Sequence, residues 1–298
     1  MLSDYKVFDG HCDSITVKNL LHTKTNLDPR DMYKYPGYIQ VFSICCERGT
    51  RSYEHNIKYI KRYDRLIYNW GIEKILSRDD LETAVYGGIL GLEGADSINN
   101  LVSLRMFYNL GVRSLTLTWN NNNSVATTVK AKEDLGLTDF GRKVVKECEN
   151  LGIMIDLSHI SEKSFYDVAE IVQLPFICSH SNSRAVYEHD RGLTDDQFKT
   201  LVEKGGVTGI NFAPYFLGED ASVKDILLHI EHFCSLGGEK NIGLGSDFDG
   251  IEYMPKGCTG AKFMQVIAEE LLKHNYKEET VKDIMHNNFM RVFKRILK

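Results

Sequence analysis

The stretch "FDGHCDS", residues 8–14, places His11 and Asp13 two positions apart. Side chains two apart in an extended segment point the same way, so both can face one site while Cys12 points away. Imidazole and carboxylate together suit zinc, and also manganese, iron or cobalt. The same residue types recur as Glu93, His159, His180 and Asp247, each at the end of a β-rich segment. A lone histidine near a strand end is more often an ordinary hydrogen-bonded residue than a ligand. The weight therefore lies in the recurrence. His22, His55, His189, His274 and His286 lack such company, and His229 and His232 fit an ordinary amphipathic helix.

The elements that must position these residues are legible as eight β-rich segments. They cover 6–10, 38–46, 87–94, 113–118, 153–158, 176–180, 206–212 and 241–248. Helical stripes alternate with them. One is Phe140, Val144, Val145, Cys148 and Leu151, with Thr138 or Asp139 to cap its start and Gly152 to close it. Another is Ile226, Leu227, Ile230, Phe233 and Cys234, ended by Gly237. A third, near the C-terminus, is Val281, Met285, Phe289, Val292 and Ile296. A crossover helix is expected over roughly 161–172. The alternation suggests an α/β (β/α)8 TIM barrel occupying residues 1–298 as one domain, although an open doubly wound sheet has the same alternation. The run "WNNNNSVATT" (119–128) reads as an irregular loop on the catalytic face.

A barrel gathers chemistry at the C-terminal ends of its strands. His159 and His180 end consecutive strands about 4.8 Å apart and should converge. Closure sets the last strand beside the first, so Asp247 would meet His11 and Asp13, whereas an open sheet would leave them on opposite edges. Five ligands exceed what one tetrahedral ion needs. A pair of ions about 3.5–4 Å apart, bridged by a carboxylate, would use them all, and Glu93 is the natural bridge.

Composition excludes several classes. The chain has 298 residues, 43% of them apolar, and a formal net charge of −5, so no basic footprint for nucleic acid is present. No segment approaches the roughly 18 uninterrupted apolar residues of a membrane span. The opening "MLSDYKVFDG" lacks the apolar core of a secretory signal, and the seven cysteines form no CxxC pair. These features are expected of a cytoplasmic protein with reduced thiols. Cys45 and Cys46, at a strand end, read as a buried pair rather than a nucleophile. "DFDG" (247–250) is not a calcium loop, because the twelfth position is Cys258.

Taken together, "DGHCDS", "GLEGAD", "GLTDFGRKVVKECENLGIMIDLSHIS", "ICSHSNSRAV" and "GLGSDFDG" resemble the membrane dipeptidase (renal dipeptidase) family of metallopeptidases, within the amidohydrolase superfamily. The motifs stand in the family's order across residues 9–250. The resemblance implies a (β/α)8 barrel with two divalent metal ions, zinc being the first choice. His11 and Asp13 would bind one ion, His159 and His180 the second, and Glu93 would bridge. Asp247 would sit at the metal-bound water as the catalytic acid–base. The family's substrate-carboxylate arginine matches Arg191. Kidney-type members carry a histidine directly after "LTLT" that contacts substrate; here Trp119 stands in that place, followed by Asn120, so the metal site is preserved while substrate preference is open.

The expected activity is hydrolysis of dipeptides by a metal-bridging hydroxide, the ions lowering the pKa of the water from 15.7 toward about 7. Two alternatives are an amidohydrolase of the same scaffold acting on N-acyl amino acids or β-lactams, and an inactive metal-binding module. The expected partner is a small-molecule substrate, not nucleic acid or membrane, with room for a homodimer.

Overall fold

The computed structural model describes residues 4–16, 25–45 and 53–298; His22 and Cys46 lie outside them. Eight barrel strands appear: β1 (Val7–Cys12), β2 (Tyr38–Cys45), β3 (Tyr86–Glu93), β4 (Val112–Thr116), β5 (Met154–Asp156), β6 (Ile177–Cys178), β7 (Val207–Ile210) and β8 (Ile242–Leu244). All pair in parallel with their chain neighbours, and Asp9 opposite Leu244 joins β8 to β1. The sheet thus closes into the expected (β/α)8 barrel, and the open-sheet alternative falls. Glu73–Lys74 adds a two-residue strand beside β3, too short to show as a periodic run.

Strand alternation sorts the buried residues into two layers. Tyr38, Phe42 and Ile44 of β2 and Leu90 and Leu92 of β3 pack outward with the helices. Phe8, Ile39, Val41, Ile89, Met154, Ile177 and Val207 point inward and cluster with Phe289 and Phe293 from the C-terminal helix, which seals the barrel floor. Gly10 and Gly243 make room for the plug, since a Cβ on either would fall 2.7 or 2.4 Å from the Phe289 ring. Above this floor the interior turns polar, so the same alternation that buries Ile39 and Ile89 carries Ser43, Glu93 and Asp156 toward the mouth.

The helices start where short polar residues can satisfy unpaired backbone amides. Thr138, Ser161, Thr194 and Ser222 cap Asp139–Leu151, Glu162–Ile171, Asp195–Glu203 and Val223–Ser235. Gly152 ends the first of these with φ +81°, a left-handed turn that favours glycine. The C-terminal stripe is buried as expected, but it contains a π turn, Asp283–Asn287, that its periodicity did not reveal. Residues 119–128 form a loop pinned by asparagines: Asn123 Oδ1 accepts from the amides of Val125 and Ala126, and Asn122 Oδ1 from that of Thr128. No helix among the described residues is long and apolar enough to cross a membrane.

Candidate metal centre

The register of β1 slips between Asp9 and Cys12. Phe8 and Gly10 face the plug, so strict alternation would turn His11 out toward the helices. The bulge resets the phase and aims His11 into the mouth, while Cys12 packs in the outer layer. His11 Nε2 then lies 3.4 Å from Asp13 Oδ2, 3.7 Å from Glu93 Oε1 and 3.9 Å from Asp247 Oδ1. From the other side, His159 Nε2 and His180 Nε2 stand 3.1 and 3.5 Å from the same Glu93 oxygen, and 3.1 Å from each other. The structure therefore brings all six residues together, with Glu93 between the two histidine groups.

Two strand ends hold strained backbone to achieve this. His159 and Asp247 both have positive φ, 66° and 59°, a conformation that costs non-glycine residues and persists where the surroundings enforce it. Asp247 is steadied through Oδ2, which accepts from Asn211 Nδ2 at 3.0 Å. Gly250 must lack a side chain, because a Cβ there would lie 2.2 Å from Asp13 Oδ2 and 2.6 Å from Asp247 Oδ1.

Beneath the mouth a hydrogen-bond relay fixes the rings. Asp156 Oδ2 accepts from Thr116 Oγ1 and Ser179 Oγ, both at 2.6 Å. Having donated its proton, Ser179 Oγ can accept from His180 Nδ1 at 2.7 Å, which leaves the Nε2 lone pair facing Glu93. Ser43 Oγ, 3.2 Å from His11 Nδ1, holds the His11 ring in place.

This donor set fits divalent cations. His11 Nε2 and Asp13 Oδ1 are buried with no hydrogen-bond partner among the described residues. Burial pushes Glu93 up to about 8, against the pull of His11 and with added repulsion from Asp13 and Asp247. Burial opposes charge on His11, yet Glu93, Asp13 and Asp247 raise it to about 10. Burial, with the His11 and Arg191 charges, holds His159 and His180 well below the usual histidine range. Three clustered carboxylates thus draw positive charge to one point, while two neutral imidazoles offer lone pairs to it.

The centre opens into a cavity of about 360 Å³ that Trp119, Asn120, Lys130, Arg191, Tyr215 and Phe216 help to line. Arg191 is 5% exposed, and its Nε and Nη2 have no acceptor among the described residues. Asn120 Oδ1 is likewise buried without a partner. Sequence reading missed Ser43, Asp156, Ser179 and Asn211, whose only signal was inward position on strands already recognised. It also set Cys45 aside. Cys45 is half-buried and lines this cavity, with Sγ and the Asp13 and Glu93 carboxylates all within 4.8 Å of one another. His229, set aside as structural, is buried in its helix and accepts from the Ser183 amide at 3.1 Å.

Comparison with known proteins places this geometry among relatives. The model of the membrane dipeptidase family (peptidase family M19) matches residues 1–298. A Schizosaccharomyces pombe protein named an uncharacterized dipeptidase is 34% identical over 82% of the chain. The chain spans 58% of that relative's length and 66% of the next, a dipeptidase 3 from Macaca fascicularis. A solved M19 metallopeptidase, the dipeptidase AC, superposes with a TM-score of 0.87 at 27% identity, covering 99% of each chain. A metallopeptidase from Rhodobacter sphaeroides, liganded with a phosphinate mimic of the dipeptide L-Ala-D-Ala, superposes with a TM-score of 0.85 at 25% identity, covering 99% of this chain and 100% of the other.

Proposed function

The chain belongs to the membrane dipeptidase family (peptidase family M19), and on that premise we propose that it hydrolyses dipeptides at a pair of divalent cations. The observation that carries this reading is the meeting of His11, Asp13, Glu93, His159, His180 and Asp247 at one barrel mouth. His11, Asp13 and Glu93 would hold one cation, and His159, His180 and Glu93 the other. When bound, such a pair activates a water near neutral pH and polarises the scissile carbonyl, and zinc suits the donors best.

The residues of the chain supply the rest. Asp247 keeps Oδ2 engaged with Asn211 and leaves Oδ1 to take the proton of the attacking water. Burial, with repulsion from Asp13, raises its affinity for that proton, which it then delivers to the leaving amine nitrogen. Arg191 offers a fork of donors to the C-terminal carboxylate of the substrate. Its buried Nε and Nη2 are anion-seeking groups in the cavity wall. A carboxylate held there places only the adjacent peptide bond at the cations, which restricts the enzyme to dipeptides. The dipeptide mimic in the Rhodobacter sphaeroides relative supports this substrate class.

The test is hydrolysis of a dipeptide panel, including L-Ala-L-Ala and L-Ala-D-Ala, beside N-acetylated amino acids and a β-lactam. Cleavage of free dipeptides, abolished by chelator and restored by zinc, is expected. Turnover of the acylated amino acids alone would replace the dipeptidase reading with the amidohydrolase one.

A further inference from the structure

The β2–β3 register sets Cys45 directly beside Glu93. Laterally paired residues project from the same face of a sheet. Along β2 that face runs Ile39, Val41, Ser43 and Cys45. The first two pack in the barrel floor and the third meets His11 Nδ1. Cys45 is therefore the topmost inward residue of its strand, at the level of the ligands. Its Sγ and the carboxylates of Asp13 and Glu93 lie within 4.8 Å of one another. Asp13 is 6% exposed, and its Oδ1 has no hydrogen-bond partner among the described residues. A buried, unsatisfied carboxylate oxygen beside a thiol and a second carboxylate is a ligand set in its own right.

We propose that Cys45 is a protein ligand of the first cation, joining His11, Asp13 and Glu93 as a thiolate. The inference rests on the two-cation reading. On coordination the thiol releases its proton to solvent and no electrons change hands. The pair of cations then becomes chemically unequal. The first would draw on nitrogen, oxygen and sulfur donors from four side chains, and the second on three, His159, His180 and Glu93. A sulfur donor also biases the first position toward zinc or cadmium and against manganese or magnesium.

The experiment strips the full chain with chelator and refills it with cobalt(II), reading metal content and absorption together. The expected result is about two cobalt ions per chain and a near-ultraviolet sulfur-to-cobalt charge-transfer band. The band should disappear in Cys45→Ser and Cys45→Ala and persist in Cys46→Ser. In the wild-type chain, iodoacetamide followed by peptide mapping should label Cys45 in the stripped form and spare it in the refilled one, a readout that needs no variant to fold. Two bound cobalt ions without the band, or a band that survives loss of Cys45, would overturn the sulfur ligand and leave the two-cation reading standing. Failure of the folded chain to bind cobalt at all would overturn both.

Discussion

Asp247 Oδ1 lies 3.9 Å from His11 Nε2, although Asp247 follows the last strand of the barrel and His11 lies in the first. The contact exists because β8 pairs with β1, so the proposed proton carrier and the proposed first ligand meet only in the closed cylinder. This makes Asp247 the residue to separate chemistry from metal binding.

Asp247→Asn keeps the volume and the Asn211 contact but cannot take a proton from water. Metal content should stay near that of the wild type while kcat falls by about two to four decades. Full turnover with normal metal content would remove Asp247 from the proton path.

Arg191 is a buried guanidinium whose Nε and Nη2 have no acceptor among the described residues. Arg191→Lys preserves charge and loses the fork. KM for free dipeptides should rise by roughly one to two decades, with kcat changed less. Dipeptide amides, which lack the carboxylate, should be insensitive. Equal losses on acids and amides would point to a disturbed fold.

Gly250 borders both carboxylates, and the space it leaves is smaller than a methyl group. Gly250→Ala should displace Asp13 and Asp247 without disturbing the floor of the barrel. Zinc affinity measured by competition with a chelating dye should fall by roughly ten- to a hundredfold, while the Tm of the stripped protein stays close to that of the wild type. Unchanged affinity would mean that the loop yields easily at this point.

His229 gives a pH dependence remote from the metal centre. Burial lowers its pKa to about 4, and the neutral ring accepts the Ser183 amide hydrogen. Unfolded histidine takes its proton near the ordinary value of about 6.5. The unfolded state thus binds more protons between these values, so stability is fully present above about pH 6.5 and is lost as pH falls toward about 4. The loss reaches about 3 kcal/mol. Denaturant unfolding of wild type and His229→Gln should show the gap between them shrinking as pH drops. A constant gap would show that His229 titrates alike in both states.

The strands were legible because runs such as residues 38–46 and 87–94 are apolar on both faces, as a barrel wall requires. The candidate metal ligands were legible because each stands at the end of such a run. The bulge at His11 was not, since it depends on how β1 registers with β2. Asp156 and Ser179 were hidden for a related reason. Nothing in "IDLSH" or "ICSHS" distinguishes a serine or aspartate that orients a ring from one that faces solvent until the barrel closes around it. In the sequence Cys45 has Cys46 beside it, and only the β2–β3 register sets it beside Glu93.

The wall of the cylinder is uneven. β2 and β3 run eight residues each in continuous register, whereas β5, β6 and β8 run three, two and three. Glu93 and Cys45 are fixed to the stiff side; His159, His180 and Asp247 hang from the side with few ladder bonds. Cations bound between them would act as a brace from rigid to yielding wall. Chelation should therefore quicken amide exchange around β5, β6 and β8 first and leave β2 and β3 slow, so the protein would lose its grip on the reaction before it loses its shape.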